Sequence, residues 1–173
     1  MSKMLTTQLT GVFNRLDAQS LDIQMAAQSL IQAIGGEGHI YVKGYGDVKA
    51  FEDYILHSEE KFKSSRALAS LSSFDALDST DRILLFGAHY TKEMAEDVSQ
   101  LIADGLDVVV ITNKPTDIDI PDHLVHFIDL CTPRPLVFTE DYDKVVVPHM
   151  ISLNYIYYEI YTQMIEMIRD LDL

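Results

Sequence analysis

The sequence predicts an α/β fold in which helices cover both faces of a parallel β-sheet. From residue 38 onward, short runs rich in β-branched residues alternate with helical segments, which is the order of β-α-β units. The runs RILLFG and DVVVIT are almost continuously apolar, as in strands that are buried on both faces. We therefore expect a three-layer α/β/α sandwich with a parallel, doubly wound sheet.

Two amphipathic helices are predicted ahead of the first strand. In residues 5–16, leucine and valine recur at spacings of three and four, which places them on one face of a helix. The second helix is expected to begin after Ser20, a predicted N-cap. Gly35 and Gly36 are expected to end it through a left-handed C-cap.

Five strands are predicted, in the segments HIYVKG, RALASL, RILLFGA, DVVVIT and HFIDL. Helices are expected in residues 47–62 and 91–103, and Asp104-Gly105 is expected to end the second of these. Residues 132–143 are predicted to be the one long irregular connection. The chain after Val145 is predicted to form a long helix whose apolar residues cover more than one face and include four tyrosines. Such a surface favours a homodimer or homotetramer.

Composition favours a single cytoplasmic domain over residues 1–173. With 27 acidic and 13 basic residues, the formal charge of −14 would repel a nucleic-acid backbone. No segment approaches the roughly 18 apolar residues that a membrane span requires. The one cysteine, Cys131, cannot form an internal disulfide. No histidine pair has the spacing and partners of a zinc site, and no cofactor is expected.

Two strand-to-helix turns carry the candidate functional residues. In open α/β sheets, ligands bind beyond the carboxyl ends of the strands, where the strand order reverses, and the first and third strands usually flank that crevice. The turns here read GYGD and FGAHYT, and each precedes a helix N-terminus that favours an anion. The predicted ligand-binding residues are Gly44, Tyr45, Gly46, Asp47, Gly87, Ala88, His89, Tyr90 and Thr91.

Several of these residues also have a purely structural interpretation. Gly44 and Gly46 suit a tight turn that needs positive φ or close backbone packing. Thr91 and Asp47 suit helix caps. His89 is interpreted either as a residue that lines the crevice and donates a hydrogen bond to a ligand or as a residue that fills a loop.

The order of these segments resembles the sugar isomerase (SIS) domain over nearly the whole chain. The matching features are the two leading helices, IYVKGYG ahead of a helix, DRILLFGAHYTKE and DVVVIT. The resemblance implies a five-stranded parallel sheet in flavodoxin-like order, with a phosphosugar bound at the ends of the first and third strands. The chain is similar in particular to a small bacterial SIS-like family whose members are provisionally labelled phosphoheptose isomerases.

The sequence departs from the SIS pattern where the anion would be held. The family's third-strand turn reads Ser-x-Ser-Gly-x-Thr-x-Glu, and residues 86–93 keep only the threonine and the glutamate. The first turn, Gly-x-Gly-x-Ser in the family, keeps its glycines, loses the serine and gains the carboxylate of Asp47. Lys114 and Arg134 follow the fourth and fifth strands and are interpreted either as replacement cations for an anion or as solvated surface charges.

The resemblance to phosphoheptose isomerases does not extend to their proton-transfer residues. Their His-x-x-x-Glu pair falls on Tyr54 and Ser58. A shift of one residue brings in Glu59. The candidates for proton transfer in an aldose–ketose isomerisation are therefore Glu59, His89 and His149.

Three functions remain open at this point. The leading hypothesis is a carbohydrate-derivative binding protein with degenerate phosphosugar turns, acting as a sensor or partner module. The enzyme alternative is a phosphosugar isomerase of the phosphoheptose type. The third is a structural oligomer with a vestigial pocket.

Overall fold

A computed structural model describes residues 2–173. The strands of its main sheet are β1 (Ile40–Tyr45), β2 (Ser65–Ala67), β3 (Arg82–His89), β4 (Asp107–Asn113) and β5 (His126–Asp129). All neighbours are parallel and lie in the order β2-β1-β3-β4-β5, which confirms the predicted five-stranded sheet and its flavodoxin-like order. The helices are α1 (Ser2–Asp17), α2 (Ser20–Gly35), α3 (Phe51–His57), α4 (Lys92–Ala103) and α5 (His149–Leu171).

The sheet is covered on both faces, and each face has its own hydrophobic core. One core joins α1, α2, α3 and α5 to strand residues such as Val42 and Leu84. The other joins α4 to strand residues such as Tyr41 and Ile83. Successive residues of a strand point to opposite faces, so the continuous apolar runs in the sequence supply both cores. The three predicted layers are therefore present.

The carboxyl ends of β1, β3 and β4 lie side by side. Tyr45 at the end of β1 pairs with Gly87, and His89 at the end of β3 pairs with Asn113 at the end of β4. The register between β3 and β4 shifts between Phe86 and His89, and such irregularities re-aim side chains at the rim of a sheet. His89 consequently extends past β1, beside the chain that follows β4.

The ends of α2 differ from the sequence prediction. Ser20 lies inside the helix, and Gln19 precedes it without a side-chain capping bond. The side-chain amide of Gln19 instead pairs with the backbone of Asp129. Its Nε2 donates to the Asp129 carbonyl, and its Oε1 accepts from the Asp129 backbone N–H, both at 2.8 Å, which ties the start of α2 to β5. Gly36 has a φ of −109° because the chain leaves the helix extended, so the predicted left-handed cap is wrong there. Gly105 ends α4 with a φ of 76°, as the glycine stop predicts.

Residues 132–143 are mostly irregular, as the sequence predicts, with one short strand that it does not predict. They contain β6 (Val137–Phe138), which pairs antiparallel with β7 (Lys144–Val145). The Leu136 amide donates to the Val146 carbonyl at 3.0 Å and extends this hairpin. Val146 has a φ of 67°, a left-handed conformation that is rare for a β-branched residue. The hairpin therefore ends in a strained residue shortly before α5.

The C-terminal helix α5 is the longest in the structure, with 23 residues. Leu153, Ile156 and Ile160 are buried against α2 and the sheet, whereas Ile151 and Tyr158 are exposed. Within residues 2–173, none of the helices combines the length and the apolarity that a membrane crossing needs.

Candidate functional site

The turn after β1 is open on its outer side. Gly46 has a φ of 60°, and a side chain there would meet no atom within 4 Å. A 3-10 turn over Gly46–Val48 separates β1 from α3, which begins at Phe51 after Ala50 without a side-chain cap. Asp47 is exposed inside this 3-10 turn, so its interpretation as a helix cap is wrong. The inserted turn places Asp47 too far ahead of the helix to cap it.

Two other glycines of the predicted site are required by packing. A side chain at Gly44 would lie 2.7 Å from the Phe86 ring and 2.9 Å from the Lys49 backbone. A side chain at Gly87 would lie 2.9 Å from the Met94 methyl group. The Gly44 amide donates to the Glu52 carboxylate at 2.9 Å, so this backbone donor already has an anionic partner. The close approach of strand and helix explains both glycines without a ligand.

The two tyrosines of the predicted site belong to the core beneath α4. Tyr45 is 5% exposed, and its hydroxyl donates to the Asp97 carboxylate at 2.5 Å. Burial, followed by this hydrogen bond, raises the pKa of Tyr45 far above its ordinary value. Lys43 lies 2.6 Å from the same carboxylate. Tyr90 is 4% exposed, burial raises its pKa, and its hydroxyl has no hydrogen-bond partner within residues 2–173.

Thr91 caps α4 as the sequence predicts. Its hydroxyl accepts a hydrogen bond from the Met94 amide at 3.3 Å. Glu93 follows in the first turn and lies 3.6 Å from the Lys43 ammonium group. The Thr91 hydroxyl, which the SIS resemblance assigns to an anion, is therefore already engaged in the helix cap. The nearby Glu93 carboxylate would repel an anion at this helix N-terminus.

Four polar side chains converge beyond the ends of β3 and β4. They are His89, Asn113, Thr132 and His149, and we call them the histidine cluster. The rings of His89 and His149 are 5.4 Å apart and nearly perpendicular, at 82°. Asn113 and Thr132 are buried, His149 is half-buried and His89 is exposed. The cluster therefore runs from a buried polar base to a solvent-facing imidazole.

The orientation of Asn113 is fixed by two backbone partners. Its Oδ1 accepts from the Thr132 amide at 2.8 Å, and its Nδ2 donates to the Ala88 carbonyl at 2.8 Å. One partner can only donate and the other can only accept, so the side-chain amide has one satisfactory orientation. Its Nδ2 then also faces Thr132 Oγ1 at 3.2 Å and His149 Nδ1 at 3.3 Å.

This arrangement favours a neutral His149. Thr132 Oγ1 lies 2.7 Å from His149 Nδ1, and because the Asn113 donor also faces that nitrogen, Nδ1 is best placed to accept. Burial lowers the pKa of His149, the nearby His89 lowers it further, and Asp47 acts in the opposite direction. The neutral tautomer then carries its proton on Nε2. His149 can donate one hydrogen bond to a ligand without bringing a positive charge.

A cavity of about 210 Å³ adjoins the histidine cluster. His89, Tyr90 and Asn113 line one side, and Lys114 and Asp117 lie on the chain that follows β4. The volume is below the roughly 300–1,000 Å³ of most small-molecule sites, which limits it to a small ligand or to one end of a larger one. Its lining mixes donors and acceptors, as recognition of neutral hydroxyl groups requires.

The structure brings together two of the three predicted proton-transfer residues. His89 and His149 belong to one cluster, whereas Glu59 lies beside Lys61 and Tyr161 in a groove along α5. Tyr161 is about 18 Å along that helix from His149. In the part of the chain that the structure describes, no group of three or more histidine, cysteine or acidic residues is placed to hold a metal ion.

The sequence analysis missed Asn113 and Thr132. Both stand at or just beyond the carboxyl end of a strand: Asn113 ends DVVVITN, and Thr132 follows HFIDLC. A polar residue directly after a buried strand is the signal that could have identified them. The predicted ligand-binding turns followed the first and third strands, and after the fourth and fifth strands only the charged residues Lys114 and Arg134 were considered.

Comparison with known proteins by sequence identifies one family and one relative. The family model described as Domain of unknown function (DUF2529) matches residues 1–168. The uncharacterized protein YwjG of Bacillus subtilis (strain 168) is 30% identical over 161 residues, which are 91% of this chain and 92% of YwjG.

Two crystal structures have a similar fold. One, from Bacteroides fragilis NCTC 9343, is provisionally described as a phosphosugar isomerase involved in capsule formation. It is 15% identical to this chain with a TM-score of 0.65, and the match covers 95% of this chain and 92% of the other. The other is the sugar isomerase domain of an RpiR transcription factor from Sphaerobacter thermophilus, with a TM-score of 0.54, 16% identity and 98% of both chains covered. These similarities show an SIS-like fold.

Proposed function

Because this chain belongs to the DUF2529 family and has an SIS-like fold, we propose that it binds a small carbohydrate derivative at the carboxyl edge of its sheet. The ligand is a phosphosugar or a related sugar, and the protein acts as a sensor or partner module. The histidine cluster is the observation that carries this proposal. A buried network around Asn113 and Thr132 holds His149, and the His149 ring packs against the ring of His89, which lines the cavity. This packing prepares a hydrogen-bonding site before any ligand arrives.

The chemistry of this edge favours sugar hydroxyl groups over a phosphate. His89 and the Nε2 proton of His149 supply hydrogen bonds, and Asp47 and Asp117 supply acceptors nearby. A phosphate would depend on Lys114 and the N-terminus of α4, because the family's serine donors are missing. We therefore expect unphosphorylated and phosphorylated forms of the same sugar to bind with similar affinity.

Thermal unfolding in the presence of sugars tests this proposal. A panel of phosphosugars and their unphosphorylated counterparts should include at least one ligand that raises Tm, since a ligand at 100 times its Kd stabilises a protein by about 2.7 kcal/mol. The His89→Ala substitution should abolish the increase. His123→Ala is the matched control, because His123 is exposed near the amino end of β5, at the opposite edge of the sheet. Equal loss in both variants, or no stabilising sugar, would contradict the proposal.

The pairing of His89 with His149 supports a second candidate function, an aldose–ketose isomerase. In this reaction His89 would remove the proton from C2 of an open-chain aldose phosphate and return it to C1. The proton of the C2 hydroxyl would pass to O1, so that C1 becomes the alcohol and C2 the carbonyl. His149 would donate a hydrogen bond from Nε2 to the carbonyl oxygen, where negative charge develops. The matching test is deuterium exchange in D₂O, followed by NMR, at C1 of the ketose sedoheptulose 7-phosphate and at C2 of its aldose isomer. Exchange that persists in His89→Ala would exclude this assignment.

We also propose that the chain forms a homodimer or homotetramer. Exposed apolar side chains lie on the β6–β7 hairpin and on the outer side of α5: Phe138, Val145, Val146, Val147, Met150, Ile151 and Tyr158. A surface of this kind fits a second copy of itself. Analytical ultracentrifugation should show Ile151→Glu shifting the protein toward the monomer. Leu21→Glu, at an exposed leucine of α2, should leave the oligomer unchanged.

A further inference from the structure

A second cavity lies between α1 and the chain that follows β5. Its volume is about 520 Å³, within the roughly 300–1,000 Å³ of small-molecule sites. Three basic side chains line it: Arg15 near the end of α1, Arg134 after β5 and Lys144 in β7. We call it the basic cavity. Apart from Pro133, which borders both cavities, it shares no lining residue with the cavity beside the histidine cluster.

The three basic side chains of this cavity have no ion-pair partner within residues 2–173. Of the ten other basic residues in the chain, Lys43, Arg82 and Lys92 have a carboxylate partner among the described residues, so what sets these three apart is that they line one cavity. Acidic residues outnumber basic ones by 27 to 13 in this chain, so a scarcity of partners does not explain the unpaired charges. Their convergence on one cavity leaves them available to an external anion.

One acidic residue, Asp129, also lines the basic cavity. Its Oδ1 accepts hydrogen bonds from the backbone amides of Cys131 at 3.0 Å and Lys114 at 3.2 Å. These bonds offset part of the negative charge of the carboxylate. Three basic groups and one acidic group leave the formal charge around the cavity positive.

The thiol of Cys131 contributes no charge to the wall. Burial raises its pKa most, Asp129 raises it further and the Arg15 charge lowers it, which leaves the pKa at about 11. Near neutral pH the side chain is therefore a thiol, which does not repel an anion. It is also the one cysteine of the chain, so its chemical reactivity reports on this cavity alone.

The backbone around Arg134 is held in place before binding. Pro133 and Pro135 flank it, and each proline ring fixes its own φ angle. The Lys144 ammonium group lies 5.1 Å from the centre of the Phe138 ring, a distance typical of a cation–π contact. Groups that are positioned in advance lose less freedom when a ligand binds.

We propose that the basic cavity binds a small multivalent oxyanion, either a phosphate ester or a polycarboxylate. The guanidinium groups of Arg15 and Arg134 can each bind an oxyanion through two parallel N–H donors, and the ammonium group of Lys144 adds a positive charge. Gln8 supplies an uncharged side-chain amide on the α1 side. The site goes beyond the sugar-binding proposal, because it uses no residue of the histidine cluster.

Calorimetric titration of the full chain with pyrophosphate and, separately, with citrate tests this site. At low salt at least one of the two should bind, and the choice between them identifies the phosphate or the carboxylate class. Arg134→Gln and Arg15→Gln should each raise Kd about tenfold or more, as expected for the loss of a charge-assisted hydrogen bond. Arg169→Gln is the control, since it removes the same charge from an exposed position in the last turn of α5.

The reaction of Cys131 with methyl methanethiosulfonate, which is specific for thiols, at mildly alkaline pH gives a second readout on the unsubstituted protein. A saturating anion should slow this reaction, because it covers the wall on which the thiol lies. Failure of both anions to bind, equal weakening in all three arginine variants, or unchanged labelling at saturation would overturn the proposal. Loss of anion binding in His89→Ala with retention in Arg134→Gln would move the anion to the histidine cluster and overturn it as well.

Discussion

Two parts of the carboxyl edge of this sheet have different roles. We call the ends of β1 and β3 the β1/β3 edge, and the ends of β4 and β5 the β4/β5 edge. At the β1/β3 edge, atoms of Phe86 and Lys49 occupy the space that a side chain at Gly44 would need, and the Met94 methyl group occupies that space at Gly87. Tyr45 and Tyr90 are buried beneath α4. At the β4/β5 edge, the buried side chains of Asn113 and Thr132 form hydrogen bonds that position His149. Two cavities lie beside this network. Glycine-rich turns in an SIS-like fold are therefore compatible with a packing role, and the ligand chemistry can reside on the adjacent strands.

Removing Asn113 should produce the largest effect, because it supports the β4/β5 edge. Asn113→Ala leaves the buried Thr132 amide and Ala88 carbonyl without their partners, and each unsatisfied group costs about 1–3 kcal/mol. We expect the free energy of unfolding in denaturant to fall by about 3 kcal/mol. Asn14→Ala on the exposed face of α1 should change it by under about 0.5 kcal/mol. A loss in Asn113→Ala as small as in the control would mean that water replaces the network.

Filling Gly44 tests whether the β1/β3 edge depends on close packing. The added methyl group of Gly44→Ala meets the Phe86 ring and the Lys49 backbone, and such overpacking should cost about 2 kcal/mol in unfolding free energy. Gly46→Ala is the comparison, since that position has a positive φ but open space, and it should cost about 1 kcal/mol. A larger loss at Gly46 than at Gly44 would refute the packing interpretation.

Neutralising Asp97 should separate stability from ligand binding. Asp97→Asn weakens the bonds to Lys43 and Tyr45, and we expect a loss of about 1.5 kcal/mol in unfolding free energy. Binding of any sugar found to raise Tm should keep its affinity. Glu96→Gln should have almost no effect on stability, because Glu96 and its partner Lys92 are both largely exposed to solvent. A sugar affinity that falls in Asp97→Asn alone would place the ligand at the β1/β3 edge instead.

The smallest expected effect is a pH dependence from His149. Its pKa is lowered in the folded state by burial and by His89, against an opposing effect of Asp47. The stability that this group contributes is fully present above the unfolded pKa of about 6.5 and is lost as pH falls through the lower folded value. Urea unfolding of His149→Gln should show a weaker decline over that pH range than the unsubstituted chain. An identical decline would assign the effect to other groups such as His126, whose pKa burial also lowers.

Much of the fold could be predicted from the sequence because long buried segments have strong patterns. The continuous apolar runs of β3 and β4 identified a parallel sheet, and Thr91 and Gly105 marked the ends of α4. The β6–β7 hairpin was missed because strands of two residues are too short for an alternating pattern. The cap at Ser20 failed because a tertiary contact from Gln19 to Asp129 sets the start of α2.

The candidate site was only partly predictable for a related reason. His89 could be placed because it lies at the carboxyl end of β3, a position that the fold class already indicates as part of the crevice. Its proximity to His149 and Thr132 depends on how α5 and the chain after β5 pack at the same edge, and those contacts join residues distant in sequence. The register shift near the end of β3 has no sequence signature that we could use.

The two shortest strands of the sheet, β2 with three residues and β5 with four, lie at its two borders. A border strand exposes unpaired amides and carbonyls that can recruit a strand from another molecule, and short borders offer few of them. Together with a formal charge of −14 per chain, which makes assembled molecules repel one another at low salt, this layout should protect concentrated solutions from fibril growth.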